Sequence, residues 1–239
     1  MAAVLGYPDQ AVQQMNKGVA LARDLAHVPT LNHVLSFAAE LHQICREPQK
    51  VQDTVAVALP LLSKHGSAVG VANATMLRGW ALVMQGHIDE GLATMRDGLA
   101  AWRATGSKVW IPYRLTRAAD AYWKAGNIEE GLRLIDEATQ LSNDRWLAPE
   151  PHRLRGELLF SAGRRDEAER CFQQAILVAR EQSARLLELH AATGLGHLWH
   201  GGGRCSEARD LLAPIYAWFT EGFDMPDLKE AKALLDQLA

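Results

Sequence analysis

The chain has 239 residues, of which 48% are hydrophobic, and its formal net charge is −3 at pH 7. The apolar fraction is ample for a core, but the length is large for a compact domain built around one core. The slightly acidic balance argues against general nucleic-acid or anionic-membrane binding. Three widely spaced cysteines, no apolar run long enough to span a bilayer and no signal-peptide pattern predict a cytoplasmic protein without nucleic-acid or membrane partners.

A unit of two helices and a turn recurs along the chain. In one copy, small Gly156 and Gly163 lead into the turn, and Ala168, Phe172 and Ala175 follow on the second helix. Successive turns lie 40 residues apart, except for one step of 37, and we call their central residues the anchors. The anchors are Gly6, Arg46, Gly86, Gly126, Gly163 and Gly203.

The residues around the anchors follow one pattern. Five residues after each anchor the side chain is small or slim, and nine residues after each anchor it is large and apolar. Twelve residues after each anchor the side chain is small, except at Ile215. Small residues at fixed offsets let helices approach closely, and a lone pair cannot bury its apolar face, so such units stack. The pattern predicts one all-α domain over 1–239, a right-handed α-solenoid of antiparallel helix pairs.

In chain order, the repeat pattern and the glycine and proline residues that interrupt it predict twelve helices. They are 8–27, 29–46, 48–64, 67–85, 88–104, 112–125, 128–141, 150–162, 165–182, 184–199, 205–220 and 226–239. Gly66 bounds one turn, Asn127 and Asn143 are predicted as turn and cap residues, and 143–151 is the longest irregular stretch. The helix 226–239 has one apolar and one charged face, as a C-terminal cap requires.

The first helix has no partner on its N-terminal side. Met1 to Leu5 would be the stub of a missing helix, and the apolar face of the helix 8–27 would then stay open. We interpret the chain as a fragment of a longer protein, or as one that covers this end by forming a homodimer.

The unit resembles the tetratricopeptide repeat, whose small first-helix residue, turn glycine and two alanines are matched by Gly156, Gly163, Ala168 and Ala175. The period exceeds the usual 34 residues. The proline that closes each repeat is also missing, which resembles variant arrays at the C-termini of large bacterial signal-transducing ATPases. The segment 207–239 further resembles the last segment of proteins with a class III adenylate/guanylate cyclase domain, an ATPase module and such repeats. The resemblance implies a regulatory sensor or scaffold region.

Motifs of catalysis are missing from the sequence, which has no GxxxxGK[ST], GxSxG or HExxH. Pairs of acidic residues recur at helix starts, where the helix dipole favours negative charge. The set His197, His200 and Cys205 lacks a fourth ligand for a metal, and a polar groove lining explains it better. We predict a chain that is not an enzyme and that needs neither a cofactor nor a metal.

In superhelices of this kind the first helix of each repeat lines the concave face. Counting back from the anchors predicts a mixed aromatic, charged and amide groove. Its residues are His33, Asn73, Trp80, Tyr113, Asp120, Trp123, Arg153, Glu157, Phe160, His190 and His197. Aromatic residues often dominate binding energies, although the tryptophans would equally serve to pack neighbouring helices.

The predicted function is protein–protein interaction, as a regulatory scaffold within a larger signalling ATPase or cyclase. The partner would be a protein, a peptide or another domain of the parent protein. The alternative is a sensor that binds a metabolite or a sugar in the same groove.

Overall fold

The computed structural model describes residues 1–65, 67–141 and 147–239, and within these ranges the chain forms twelve α-helices and no strand. None of these helices is long and apolar enough to cross a membrane. The helices are α1 (Pro8–Asp24), α2 (Val28–Ile44), α3 (Pro48–Lys64), α4 (Ala68–Met84), α5 (Ile88–Ala104), α6 (Ile111–Lys124), α7 (Ile128–Leu141), α8 (Pro149–Ser161), α9 (Arg165–Glu181), α10 (Arg185–His200), α11 (Cys205–Ala217) and α12 (Pro226–Gln237).

The helices form two layers. Each of α1 to α11 packs against the next helix, and each even-numbered helix from α2 to α10 also packs against the next even-numbered one. The even-numbered helices therefore form a continuous inner layer and the odd-numbered ones an outer layer, as in an α-solenoid. The prediction of an all-α solenoid is confirmed, and the predicted helices are all found, with α11 ending three residues earlier than 220. Gly66, Asn143 and most of the irregular stretch 143–151 lie outside the described residues.

All six anchors adopt the left-handed backbone conformation that ends a helix. Their φ angles lie between 55° at Arg46 and 99° at Gly6. Glycine adopts this conformation without steric cost, whereas Arg46 carries a side chain there. After one of these turns, the Glu130 amide donates to Asn127 Oδ1 over 3.3 Å, so Asn127 caps α7 as predicted.

The small residues of the repeat pattern lie where helix backbones touch. A Cβ atom on Gly79 would lie 2.6 Å from the Met95 amide nitrogen and 2.9 Å from the Gly91 carbonyl oxygen. The large apolar residues nine positions after the anchors fill the space between the pairs, and Phe172 and Ile135 have no exposed surface. Close backbone approach and complete burial of the larger side chains therefore hold the layers together.

The two ends of the array meet. The Asp9 amide donates to Glu221 Oε1 over 2.9 Å, and the Gly222 amide donates to Asp9 Oδ2 over 3.0 Å. The rings of Tyr7 and Trp218 pack edge to face, with their centres 5.6 Å apart. The superhelix thus closes on itself.

At the N-terminal end, the segment before α1 is covered by other parts of the array. Ala3 and Val4 are only 1% and 4% exposed, because the rotation accumulated over the repeats brings α10 and α11 onto this segment. Leu21 and Leu25 stay about 60% exposed near the far end of α1. The homodimer remains a prediction.

Candidate functional site

The concave side of the inner layer encloses two adjacent cavities. One of about 780 Å³, the apolar cavity, is bounded by the first residues of the chain, by α1, α2 and α6, and by residues 147–151. The other cavity has a volume of about 350 Å³, and we call it the polar cavity. It is bounded mainly by residues of the inner helices α2, α4, α6, α8, α10 and α12. Ile44 and Glu150 line both, so the two cavities are neighbours.

The apolar cavity has aliphatic and aromatic walls with a few polar groups. Its walls include Met15, Val34 and Phe37. Glu40 lies at its base, where it accepts a hydrogen bond of 3.0 Å from Asn73 Nδ2. Burial raises the pKa of the Glu40 carboxyl, and the Arg114 guanidinium, 3.6 Å away, only partly opposes this. The Tyr113 hydroxyl donates to Gln43 Oε1 over 2.7 Å at the same wall.

Two tryptophans form the aromatic part of the polar cavity. Trp80 Nε1 donates to Asp120 Oδ2 over 2.8 Å, and Trp123 Nε1 donates to Ser161 Oγ over 2.9 Å. Trp80 is only 1% exposed, so it mainly packs between helices, whereas Trp123 is half-buried. Trp123 is therefore the tryptophan that a ligand in this cavity can reach.

A buried carboxylate collects three cationic side chains at the boundary between the cavities. Glu150 accepts hydrogen bonds from Arg117 and, over 2.9 and 3.1 Å, from Arg153, and His190 Nδ1 lies 3.6 Å from it. Burial would by itself raise the pKa of Glu150, but Arg153 and Arg117 hold it well below the usual value. Glu150 is therefore ionised and binds three inner helices to one another.

Asp227 links the last helix to this group. His190 Nε2 lies 3.1 Å from Asp227 Oδ1, and Arg46 donates to Asp227 and Glu230 over 2.9 and 2.8 Å. Burial would lower the pKa of His190, but Asp227 and Glu150 raise it to about 9, so the imidazole is protonated at neutral pH. The charge cluster, as we call this group, consists of Arg46, Arg117, Glu150, Arg153, His190 and Asp227.

Some polar groups around the polar cavity have unused hydrogen-bonding capacity. Glu157 has only Arg153, 3.6 Å away, as an ion-pair partner within the described ranges, and burial raises the pKa of its carboxyl. Arg117 Nε and Asp227 Oδ2 are buried, and neither has a hydrogen-bond partner in the part of the chain that the structure describes. Buried polar groups without partners are costly, so a polar ligand that pairs with them would be favoured.

The structure gathers seven of the eleven predicted groove residues around the cavities. Tyr113 lines the apolar cavity, and the polar cavity is lined by Trp80, Asp120, Trp123, Arg153, Glu157 and His190. These residues come from four inner helices.

The other four predicted residues lie outside both cavities. His33 is exposed and packs edge to face on Phe37, while Asn73 is buried against Glu40. The Phe160 ring lies under the Arg165 guanidinium, at 5.4 Å, and His197 Nε2 pairs with Glu230 over 3.6 Å.

The three metal-ligand candidates do not converge. His200 Nδ1 contacts Cys205 Sγ over 3.4 Å, but His197 pairs with Glu230 instead. No group of three histidine, cysteine, aspartate or glutamate residues in the described ranges is arranged to hold a metal ion.

Four members of the charge cluster were missed from the sequence, namely Arg46, Arg117, Glu150 and Asp227. A usable signal existed in the repeat period. Side chains that pair between neighbouring inner helices are separated by about one period, as for Trp80 with Asp120, 40 residues apart, and Arg117 with Glu150, 33 residues apart. Complementary polar residues at that separation would have identified these pairs.

Two segments of the chain, residues 72–97 and 149–174, match the tetratricopeptide repeat family. An uncharacterized protein of Rhizobium meliloti (strain 1021) is 25% identical over 198 residues. The match covers 80% of this chain but only 19% of that protein, so the chain spans about a fifth of the length of the relative.

Solved structures show the same fold. A Signal Transduction ATPase with Numerous Domains (STAND) protein with a tetratricopeptide repeat sensor, from Pyrococcus horikoshii, matches with a TM-score of 0.57 and 12% identity, covering 98% of this chain and 36% of that one. A Rap protein complexed with competence and sporulation factor matches with a TM-score of 0.60 and 14% identity, covering 87% and 63%. The described part of the chain therefore has the α-solenoid fold of these tetratricopeptide-repeat structures.

Proposed function

We propose that the chain is a regulatory interaction domain that binds a protein segment on its concave face. The observation that carries this proposal is the pair of adjacent cavities along the inner layer. An apolar space of about 780 Å³ next to a polar one suits a segment with an apolar and a polar part. The Rap protein, which has the same fold, is complexed with competence and sporulation factor.

A peptide selection tests this proposal. Random peptides displayed on phage are selected on the immobilised chain, and the affinity of selected peptides is measured by calorimetry. Trp123→Ala should weaken binding at least tenfold, about 1.4 kcal/mol, because Trp123 is an accessible aromatic side chain in the polar cavity. Leu177→Ala is the matched control, because Leu177 is 52% exposed on outer helix α9. Peptides that respond to Leu177→Ala but not to Trp123→Ala would contradict a concave site.

The regulatory context is part of the proposal. The repeats would belong to a larger signalling ATPase or cyclase, since the relative is about five times longer than the matched stretch and the STAND protein carries a tetratricopeptide repeat sensor. Reading the gene upstream of the codon for Met1 tests this directly. An in-frame continuation that encodes a phosphate-binding GxxxxGK[ST] motif is expected, and an upstream stop codon would refute the context.

A small-molecule sensor is the second candidate. The volume of the apolar cavity lies within the range of about 300–1,000 Å³ of small-molecule sites, and Glu40, Tyr113 and Thr116 supply a few polar groups. A metabolite library should then contain a compound that raises the melting temperature. Gly18→Leu should abolish the shift, because Gly18 lines this cavity and a Cβ atom on it would lie 3.8 Å from its nearest neighbour. A shift that survives in this variant would place the compound elsewhere.

A further inference from the structure

The accessible indole of the polar cavity, Trp123, lies against one face of α8. Its Nε1 donates to Ser161 Oγ over 2.9 Å. Glu157 precedes Ser161 by four residues, so these two side chains share a face of α8, one turn apart. Asp120 precedes Trp123 by three residues on α6, and Trp123, Asp120 and Glu157 all line the polar cavity. The indole therefore has two carboxylates within about one helical turn.

These two carboxylates keep unused capacity to accept hydrogen bonds. Glu157 accepts none within the described ranges, and its ion-pair partner Arg153, 3.6 Å away, binds Glu150 over 2.9 and 3.1 Å instead. Burial raises the pKa of the Glu157 carboxyl, and Arg153 opposes this only in part. Asp120 accepts a single hydrogen bond among the described residues, the one of 2.8 Å from Trp80 Nε1. A donor that enters the cavity would therefore find free acceptor atoms on both.

The charges around the polar cavity leave one carboxylate without a cation of its own. Inner helices α6 and α8 contribute two guanidinium groups and three carboxylates, namely Arg117, Arg153, Asp120, Glu150 and Glu157. Both guanidinium groups bind Glu150. Lys124 also lines the cavity, but its side chain is exposed and forms no ion pair in the part of the chain that the structure describes. On the opposite wall, buried Asp227 Oδ2 likewise lacks a donor among the described residues.

Other tryptophans of the chain are covered by an arginine beside a carboxylate. The Arg204 guanidinium lies 4.4 Å from the centre of the Trp199 ring, and Glu169 accepts hydrogen bonds from both side chains, over 3.0 and 2.8 Å. Trp102 also carries an arginine, 3.9 Å from its ring centre. Trp123 has its carboxylates in place, but within residues 1–65, 67–141 and 147–239 no arginine or lysine lies over its ring. The polar cavity thus holds two of the three parts of this arrangement.

A guanidinium group is the part that would complete it. The group is planar and cationic, so it stacks on an indole and donates to carboxylates through several N–H groups at once. The polar cavity, at about 350 Å³, lies near the lower end of the range of about 300–1,000 Å³ for small-molecule sites. A space of this size suits one long side chain better than a whole ligand.

We propose that the polar cavity binds an arginine side chain of the partner segment, with the guanidinium group stacked on Trp123 and paired with Glu157 and Asp120. The inference rests on the proposed function, since this arginine belongs to the protein segment bound on the concave face. The apolar part of the same segment then lies in the apolar cavity, which shares Ile44 and Glu150 with the polar one. The partner is therefore a segment in which an arginine neighbours apolar residues.

Titration with N-acetyl-arginine amide, followed by NMR at the indole N–H of Trp123, tests this site. The signal is assigned by its loss in Trp123→Phe, and a saturable shift at millimolar concentration is expected. N-acetyl-citrulline amide has nearly the same shape but no charge, and it should bind at least tenfold more weakly. N-acetyl-lysine amide has the charge without the planar group and should also bind more weakly. These comparisons use the unchanged chain, so they do not depend on the folding of a variant.

Glu157→Gln keeps the shape of the side chain and removes its charge. It should lower the affinity for the arginine compound at least tenfold, to that of the citrulline compound. Glu129→Gln is the matched control, because it removes the same charge from an exposed side chain in the first turn of outer helix α7, and it should leave the affinity unchanged. Equal binding of the arginine compound and either analogue, or an unaltered affinity in Glu157→Gln, would overturn the proposal.

The phage selection separates this inference from the proposed function. Selected peptides should contain an arginine whose replacement by citrulline weakens binding at least tenfold, and Glu157→Gln should remove this difference. Peptides that depend on Trp123 but bind without an arginine would overturn the inference and leave the proposed function intact. A selection that yields no peptide, together with specific binding of the arginine compound, would count against the proposed function alone.

Discussion

Adding one methyl group at two glycines of the repeat pattern should have opposite effects on stability. Gly79→Ala places a Cβ atom 2.6 Å from the Met95 amide nitrogen, so α4 and α5 must separate by about 1 Å to reach ordinary contact. Overpacking of this kind costs about 1–3 kcal/mol, and we expect the upper end because the neighbouring atoms are backbone atoms that cannot rotate away. The higher helix propensity of alanine returns about 1 kcal/mol. The net loss should be about 2 kcal/mol.

Gly18→Ala is the matched substitution, because Gly18 is likewise a glycine of the repeat pattern within a helix, twelve residues after the anchor Gly6, but has its nearest neighbour 3.8 Å from the new atom. It should gain up to about 1 kcal/mol from helix propensity alone. Urea unfolding followed by circular dichroism measures both free energies of unfolding. If Gly79→Ala proves at least as stable as Gly18→Ala, the small residues of the repeat pattern do not mark close helix contacts.

The charge cluster and the turns allow further predictions. Glu150→Ala should destabilise the fold by about 3–5 kcal/mol in urea unfolding, because Arg117 and two further cations would lose their buried counter-ion. An unchanged midpoint would refute this role. His190 has its pKa raised to about 9, so its contribution of about 3 kcal/mol is complete below pH 6.5 and disappears as the pH rises through 9. His190→Gln should remove this loss from the pH dependence of stability. Gly163→Ala should lower the free energy of unfolding by about 1 kcal/mol, measured by thermal unfolding. The cost comes from the backbone, whose φ is +77°, because no atom lies within 4 Å of the added Cβ atom.

The repeat architecture could be predicted from sequence because it depends on local rules. A glycine in the left-handed conformation, a small residue five positions later and a large apolar one four positions after that are each readable within a single unit. Even the departure at Arg46, the one anchor without a glycine, kept the same conformation. Six copies of the same signal made the register of the helices secure.

The closure of the array, and with it the contacts of Arg46 with Asp227 and Glu230, could not be predicted in the same way. Closure depends on the sum of small rotations between neighbouring repeats, and no local pattern gives that sum. Asp227 shows the consequence, because on the sequence it is one acidic residue at the start of an amphipathic helix. It pairs over 3.1 Å with His190 on the neighbouring inner helix α10, but only the closed superhelix brings it within 2.9 Å of Arg46.

The contact between the first turn of α1 and the segment before α12 also determines how the molecule responds to force. An open solenoid behaves as a spring, since small changes at each interface add up to a large change in pitch. Here the bonds between Asp9 and the Glu221–Gly222 segment fasten the two ends of the spring. Elastic extension then requires these bonds to break first, so the domain should be stiff at low load and yield abruptly at a threshold.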